Sequence, residues 1–384
     1  MKALLNLGFR PFYTLAAVFA GIAMLLWLMS FTGTAQFSTY LPGVFWHSHE
    51  MVFGFSAAVI TGFLFTAVRN WTGQPTPSGA LLGAIVLVWI GARVLLVSGT
   101  GGLGAILDVL FLPVVAVAIA IPIFRSANKR NYKIVGIIVV MAVLHCVFHL
   151  ALGGELPASL SRTSLFAVID VITILFAIVG GRVIPAFTRN AVPGSDPTHK
   201  PFVEIAAFGL LVLLAATTLA SGEMALNPWL PAGLAFLAAF AHAVRLALWQ
   251  PSLTLNSPLL WMMPVAYSWL PLALVLRGLA GLGIVLPGTW IHALTVGALT
   301  SLMIAMMMRS TLGHTGRELV ASRADLVMFL LLQLAAVLRV LAGLTGNDGT
   351  LTLLAGSVWI VAFALFLLRY LPMLMAPRID GKAG

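Results

Sequence analysis

Charge is scarce in this chain. Of its 384 residues only 8% are Asp, Glu, Lys or Arg, while 61% are hydrophobic; mean hydropathy is +1.06. A soluble domain carries about 25% charge, and a soluble chain of this size has too little interior to hide so much apolar surface. The shortage excludes a soluble enzyme, a nucleic-acid-binding module and a disordered chain. Cysteine is scarcer still. Cys146 stands alone, which excludes a disulfide framework, a paired-cysteine zinc site and covalent haem attachment through Cys-x-x-Cys-His. Alternating apolar and polar decads are missing, so an outer-membrane barrel is excluded as well. No P-loop, GxSxG, HExxH or Rossmann context is present. What remains is an all-α polytopic membrane protein, because helices satisfy their own backbone groups inside lipid.

Apolar runs of about 20 residues predict twelve transmembrane helices, at 11–32, 45–68, 79–97, 103–124, 133–152, 163–188, 201–220, 227–249, 257–279, 289–308, 322–343 and 350–374. Gly and Pro clusters separate them, such as Gly73-Gln74-Pro75 and Pro193-Gly194. The gaps are too short for a soluble domain, so residues 1–384 read as one integral membrane domain, with no internal repeat evident. The first run is too long for a signal peptide and lacks a small-x-small cleavage site, so it reads as a retained helix. The net charge of +10 reports orientation rather than nucleic acid. Of the 21 Lys and Arg, all but Arg93, Arg162, Arg277 and Arg339 fall on one set of alternate connections and helix ends. By the positive-inside rule both termini face the cytoplasm.

On this topology the histidines separate by depth. His47, His49, His145, His149 and His292 belong to the outer ends of helices 2, 5 and 10; His242 lies in the inner third of helix 8, His314 follows helix 10, and His199 is in a polar loop. Glu50, Asp108 and Asp170 share the outer half. Ionisable groups in a bilayer are costly and mark a site by default, and imidazole suits copper, iron and zinc. His145 and His149, four apart, face one way and could share a metal; the competing reading is an interfacial pair bonded to carbonyls. His47 and His49 point roughly 200° apart on a regular helix. They chelate one ion only if His47 sits in a frayed first turn; otherwise they serve different partners. His292 and His314 would lie about 33 Å apart along a continuous helix, so the sequence points to two sites, one outer and one inner. At the inner one, His242, alone or with His314, would sit with Arg245 and Arg317, which suit haem propionates or lipid phosphates. Met303, Met306, Met307 and Met308 read as core packing. The Trp residues at helix ends read as an aromatic belt.

Several strings together resemble one family. They are Gly8-Phe9-Arg10-Pro11-Phe12; Trp46-His47-Ser48-His49-Glu50-Met51 with Gly54-Phe55; Thr66-Ala67-Val68-Arg69-Asn70-Trp71-Thr72-Gly73; the run from Gly181-Arg182-Val183-Ile184-Pro185 to Asn190; His292-Ala293-Leu294-Thr295-Val296-Gly297; and Gly313-His314-Thr315-Gly316-Arg317. They resemble the NnrS family of bacterial membrane proteins, in order, from the first residues to about 317. The resemblance implies a twelve-helix cytoplasmic-membrane protein that contains haem and copper and serves denitrification or defence against nitric oxide and nitrosative stress. His47, His49, His292 and His314 lie inside the matched strings, His149 and His242 in looser ones, and His145 outside the pattern. Pro264 stands where the family often carries a histidine.

The expectation is therefore a haem- and copper-binding protein that binds nitric oxide and, if it is an enzyme, reduces it. His47, His49, His149 and His292 are its metal-ligand candidates. Glu50, Asp108 and Asp170 would move protons. His242 and His314, with Arg245 and Arg317, would hold a haem, of b-type, that receives electrons from a quinol. If the chain is an enzyme, it is an oxidoreductase of the nitric oxide reductase type. The alternatives are a secondary transporter, whose sites lie at broken helices near the midplane, and an assembly partner of a respiratory complex. No pair of interrupted helices in matching halves is evident in the sequence.

Overall fold

The computed structural model describes residues 3–382 except 36–39, 42, 99–100, 222–223 and 347. Twelve helices are long and apolar enough to cross a membrane. In chain order they are α1 (Phe9–Phe31), α2 (Gly43–Thr72), α3 (Gly79–Val97), α4 (Gly101–Arg125), α5 (Lys129–Leu152), α6 (Ser159–Ala191), α7 (Pro201–Ala220), α8 (Trp229–Ala247), α9 (Pro258–Gly281), α10 (Pro287–His314), α11 (Arg323–Thr345) and α12 (Gly349–Met375). No strand occurs among the described residues. The protein is an all-α, multi-pass membrane protein.

Local chemistry sets the helix limits. Pro201, Pro258 and Pro287 open α7, α9 and α10, where a missing N–H costs nothing. Ser322 and Asp325 form a reciprocal capping box at the start of α11. Gly73 closes α2 at φ +66, a left-handed conformation that favours glycine. The outward faces are apolar: Phe202 is 81% exposed, Phe240 71% and Leu87 68%. Polar and charged side chains lie inside instead, among them Arg10, His49, Glu50, Asp108, His145, His242 and Arg245. This inversion suits a lipid solvent.

The chain divides into two compact units, Met1–Val168 with Ser310–Glu318 and Phe363–Gly384, and Ile169–Arg309 with Leu319–Ala362. In the first, α2 packs on α1 and α4, α3 on α4, and α4 on α5. In the second, α8 packs on α7 and α9, and α10 on α9 and α11.

Two helices depart from regular α geometry. α2 runs α-helical over Gly43–His49, widens to a π-helical stretch over Glu50–Ser56, and resumes over Ala57–Thr72. α10 does the same over Pro287–His292, Ala293–Thr300 and Ser301–His314. Hydroxyls bond back to carbonyls five residues earlier in both, Ser56 to Met51 at 2.8 Å and Thr300 to Thr295 at 2.9 Å. Each wide stretch begins directly after a histidine, His49 or His292. Stretches of this kind are rare and are found frequently at functional sites.

Candidate metal centre

Unit one gathers four side chains from three helices around one point. His49 ends the first α segment of α2, Asp108 comes from α4, and His145 and His149 come from successive turns of α5. One ligand atom from each lies within 4.8 Å of all the others, and all four residues are buried. Asp108 Oδ2 stands 2.9 Å from His49 Nε2, 3.2 Å from His145 Nε2 and 3.3 Å from His149 Nε2. His145 Nε2 lies 3.1 Å from His49 Nε2 and 3.2 Å from His149 Nε2.

The spacing has a chemical meaning. Ligands bound at about 2.0–2.1 Å in a tetrahedron stand about 3.3 Å apart, close to the separations found. Glu50 Oε1 lies 3.0 Å from His49 Nδ1. An ionised carboxylate only accepts, so Nδ1 carries the proton and Nε2 turns a lone pair inward. That lone pair then faces the Asp108 oxygen, an arrangement that repels unless a cation or a proton lies between. Tyr40 Oη lies 3.0 Å from His149 Nδ1 and orients the second imidazole. The third is clamped by stacking, with the Phe53 ring 3.7 Å from that of His145 and nearly parallel at 9°.

Arg93 from α3 balances part of the charge. Its guanidinium pairs with Asp108 and approaches Glu50 Oε2 at 3.4 Å. Two carboxylates thus face a single guanidinium, and the surplus is negative, as a bound cation requires. Gly54 makes the approach possible: a Cβ there would lie 2.9 Å from Glu50 Oε2 and 3.1 Å from Arg93 Nη1. The group could hold a metal ion.

The other predicted residues lie elsewhere. His47, two residues from His49, stacks on Trp27 with ring centroids 4.5 Å apart, so the pair serves different partners. His292 belongs to the second unit, where Nδ1 donates to the Gly288 carbonyl at 2.7 Å and Nε2 faces Arg339 at 3.5 Å. Asp170 pairs with Arg277 and accepts from Thr218 at 2.6 Å. His242 is wholly buried, with Nδ1 2.8 Å from Tyr267 Oη. Its Nε2 makes no hydrogen bond, although the Ala207 backbone lies within reach of the ring. Arg245 spends its donors on Glu204 (2.7 and 2.8 Å), Tyr267 Oη (2.7 Å) and the Ala177 carbonyl (2.9 Å). Gly181 gives it room, since a Cβ there would strike its guanidinium. His314 packs beside Phe9 at 5.5 Å, and Arg317 has a buried Nη1.

Arg93 and Tyr40 are not among the sequence candidates, and His145 enters there only through its spacing from His149. His145 lies outside the family strings, although its spacing from His149 signals a shared face. Arg93 and Tyr40 carry no sequence signal, because only folding places them against Glu50, Asp108 and His149.

A family model described as NnrS protein matches residues 3–378. The chain belongs to the NnrS family. The match spans nearly the whole of it. A comparison with curated proteins finds no match.

Proposed function

We propose that this NnrS-family protein is a copper-binding protein of the bacterial cytoplasmic membrane that binds nitric oxide, in denitrification or in defence against nitrosative stress. The observation that carries the reading is the convergence of three imidazole nitrogens on one carboxylate oxygen in a buried site. Three nitrogens and one oxygen suit the metals that imidazole favours, copper, zinc and iron among them, and the family resemblance selects copper. Copper bound there would supply a redox-active centre with affinity for nitric oxide.

The residues of the chain do the rest. His49, His145, His149 and Asp108 would hold the ion. Glu50 holds the proton on His49 Nδ1 and keeps Nε2 turned inward, which raises the basicity of that nitrogen as a ligand. Phe53 and Phe148 flank the imidazoles and keep water away. Nitric oxide is small and uncharged, so it reaches such a site through lipid without a polar channel. Of the three acids singled out in the sequence, Glu50 is the proton-handling group in this reading, Asp108 is a ligand, and Asp170 is committed to Arg277. Reduction would join two nitric oxide molecules with two protons and two electrons to give nitrous oxide and water. It therefore needs an electron donor of the quinol class.

Haem is the second group that the resemblance implies, and the fit is partial. His242 could ligate a haem iron, being buried with an unbonded Nε2. Arg245 does not suit a propionate partner, because Glu204 already occupies its fork. No step is assigned to haem.

Metal analysis and absorbance of the purified protein test the reading. Expected is about one copper per chain, lost in His145→Ala and Asp108→Asn, with nitric oxide binding lost alongside. A folded preparation free of copper would refute it. Copper without nitric oxide uptake in the reduced state would leave a metal protein of another function.

A transporter is the second reading, favoured by one feature. α2 and α10 both depart from α geometry within the span, a milder form of the broken helices that build carrier sites. Substrate flux into proteoliposomes, unchanged by His145→Ala, would favour it.

A further inference from the structure

Arg10 opens α1 and has no exposed surface at all. Its Nη1 caps the end of α12, donating to the carbonyls of Leu374 at 2.9 Å, Ala376 at 2.7 Å and Met373 at 3.4 Å. The opposite edge of the guanidinium is different. Nε and Nη2 are buried and make no hydrogen bond. This edge is the fork that matches two oxygens of an oxyanion.

A second unpaired donor stands in the same region of the same unit. Arg317, in the turn after α10, has a buried Nη1 with no hydrogen-bond partner. The charged neighbours acting on Arg10 are Arg378 and Arg317, and those acting on His314 are Arg378 and Arg10. The carboxylate here is Asp380, and Arg378 uses it, through Nε at 2.9 Å and Nη2 at 2.6 Å. That pairing holds the Asp380 carboxyl well below the usual range, so it stays charged and committed. Glu318, next to Arg317, is exposed.

The tail that carries Arg378 is fastened down. Ile379 donates to the Thr315 carbonyl at 3.2 Å, and Arg378 Nη1 to the His314 carbonyl at 3.1 Å. Gly316 permits this: its φ of +79 is left-handed, and a Cβ there would lie 2.9 Å from Asp380 Cγ. Positive groups from three separated stretches are thus held together, although their charges repel. Burying an unpaired guanidinium edge is costly, and a bound anion removes both penalties.

We infer that Arg10 and Arg317 form a binding site for a phosphate-class anion, either inorganic phosphate or the headgroup phosphate of an anionic phospholipid, with Arg378 contributing its field. Inorganic phosphate offers four oxygens and a phosphodiester headgroup two free ones, set tetrahedrally rather than in one plane, so either can take the Arg10 fork while also accepting from Arg317 on another element. A carboxylate holds its two oxygens and their lone pairs in one plane, which suits a single fork better than donors converging from two elements. This site is separate from the His49–Asp108 cluster in its residues and does not rest on the copper reading.

The test uses the full-length protein in detergent. Sodium phosphate is titrated against sodium chloride at matched ionic strength while the melting temperature is followed. In parallel, protein from vesicles of phosphatidylcholine with phosphatidylglycerol is examined by native mass spectrometry. Expected is a rise in melting temperature with phosphate, or retained phosphatidylglycerol, which tells the two sources apart. Arg317→Gln should weaken the effective probe about tenfold or more, the weight of one hydrogen bond to a charged group, and leave copper content unchanged. Arg10→Lys keeps the charge, loses the fork and should weaken it likewise; if that variant fails to fold, Arg317→Gln decides. Absence of any response to either probe overturns the inference, as does a response that Arg317→Gln leaves intact. Loss of haem absorbance in Arg317→Gln without a phosphate response overturns it in favour of a porphyrin carboxylate.

Discussion

Asp108 Oδ2 is the atom on which three imidazoles converge, so its removal should be felt more than that of any other acid. Asp108→Asn keeps the size of the side chain and removes its charge. We expect metal content to fall to about one-tenth or less, as when a ligand rather than an outer partner is lost, measured by metal analysis. His145→Ala should do the same. His47→Ala and His292→Ala should keep the metal, because His47 lies on Trp27 and His292 on Gly288 and Arg339. Glu50→Gln acts one shell further out. It should weaken metal binding by about 10–100-fold, read by competition with a chelator, with the fold retained. Part of this was legible in advance. The four-residue spacing of His145 and His149 announces a shared face, and the two-residue spacing of His47 and His49 announces divergence on a regular helix. What spacing cannot tell is which of two divergent imidazoles turns inward, since that depends on what α4 and α5 bring up against it.

At the scale of the element, the widened turns in α2 and α10 matter most. A π-helical stretch amounts to one residue too many for an α-helix, and it shifts everything before it relative to everything after. In α2 it lies between His49 and the segment Ala57–Thr72. Deleting Ser56 should restore regular α geometry and turn His49 about 100° away from its present direction. The expected result is a helical, membrane-inserted protein without the metal, shown by circular dichroism beside metal analysis. Gly54→Ala probes the same stretch more gently. The added Cβ would lie 2.5 Å from Phe19 Cε1 and 2.9 Å from Glu50 Oε2; we expect a stability loss of about 1–3 kcal/mol, typical of overpacking, together with weaker metal binding. Composition does not reveal these turns. Their apolar residues satisfy a span of either geometry, so α2 and α10 read as ordinary helices. The recurring order of a histidine, a widened turn and a glycine five residues after the histidine, Gly54 or Gly297, emerges only once the backbone is seen. So does a second echo: Arg93 of α3 pairs with Asp108 of α4, and Arg339 of α11 with Thr352 of α12.

For the whole molecule, metal binding at the proposed centre would be linked to folding, because its ligands would come from α2, α4 and α5. Anything that binds the native state alone stabilises it, by about 2.7 kcal/mol at a hundredfold excess over Kd. Removal of the metal with a chelator should therefore lower the melting temperature, and re-addition should restore it. Asp108→Asn should show neither change. Orientation belongs to this scale too. The asymmetry of Lys and Arg predicts both termini on the cytoplasmic side, and reporter fusions at each end should be active there.

Hydropathy by itself determined that the chain is a twelve-helix membrane protein. Every backbone group in lipid must be satisfied within its own helix, so a long apolar run has one outcome whatever surrounds it. The sequence also determined family membership, through strings spread along most of its length. Only the tertiary structure decided the donor set. Asp108 and His145 come from helices distant along the chain from His49, and nothing local to them states that they meet. Their encounter depends on the packing of α2, α4 and α5 and on the extra residue in α2, and these long-range relations are invisible to spacing along a single helix.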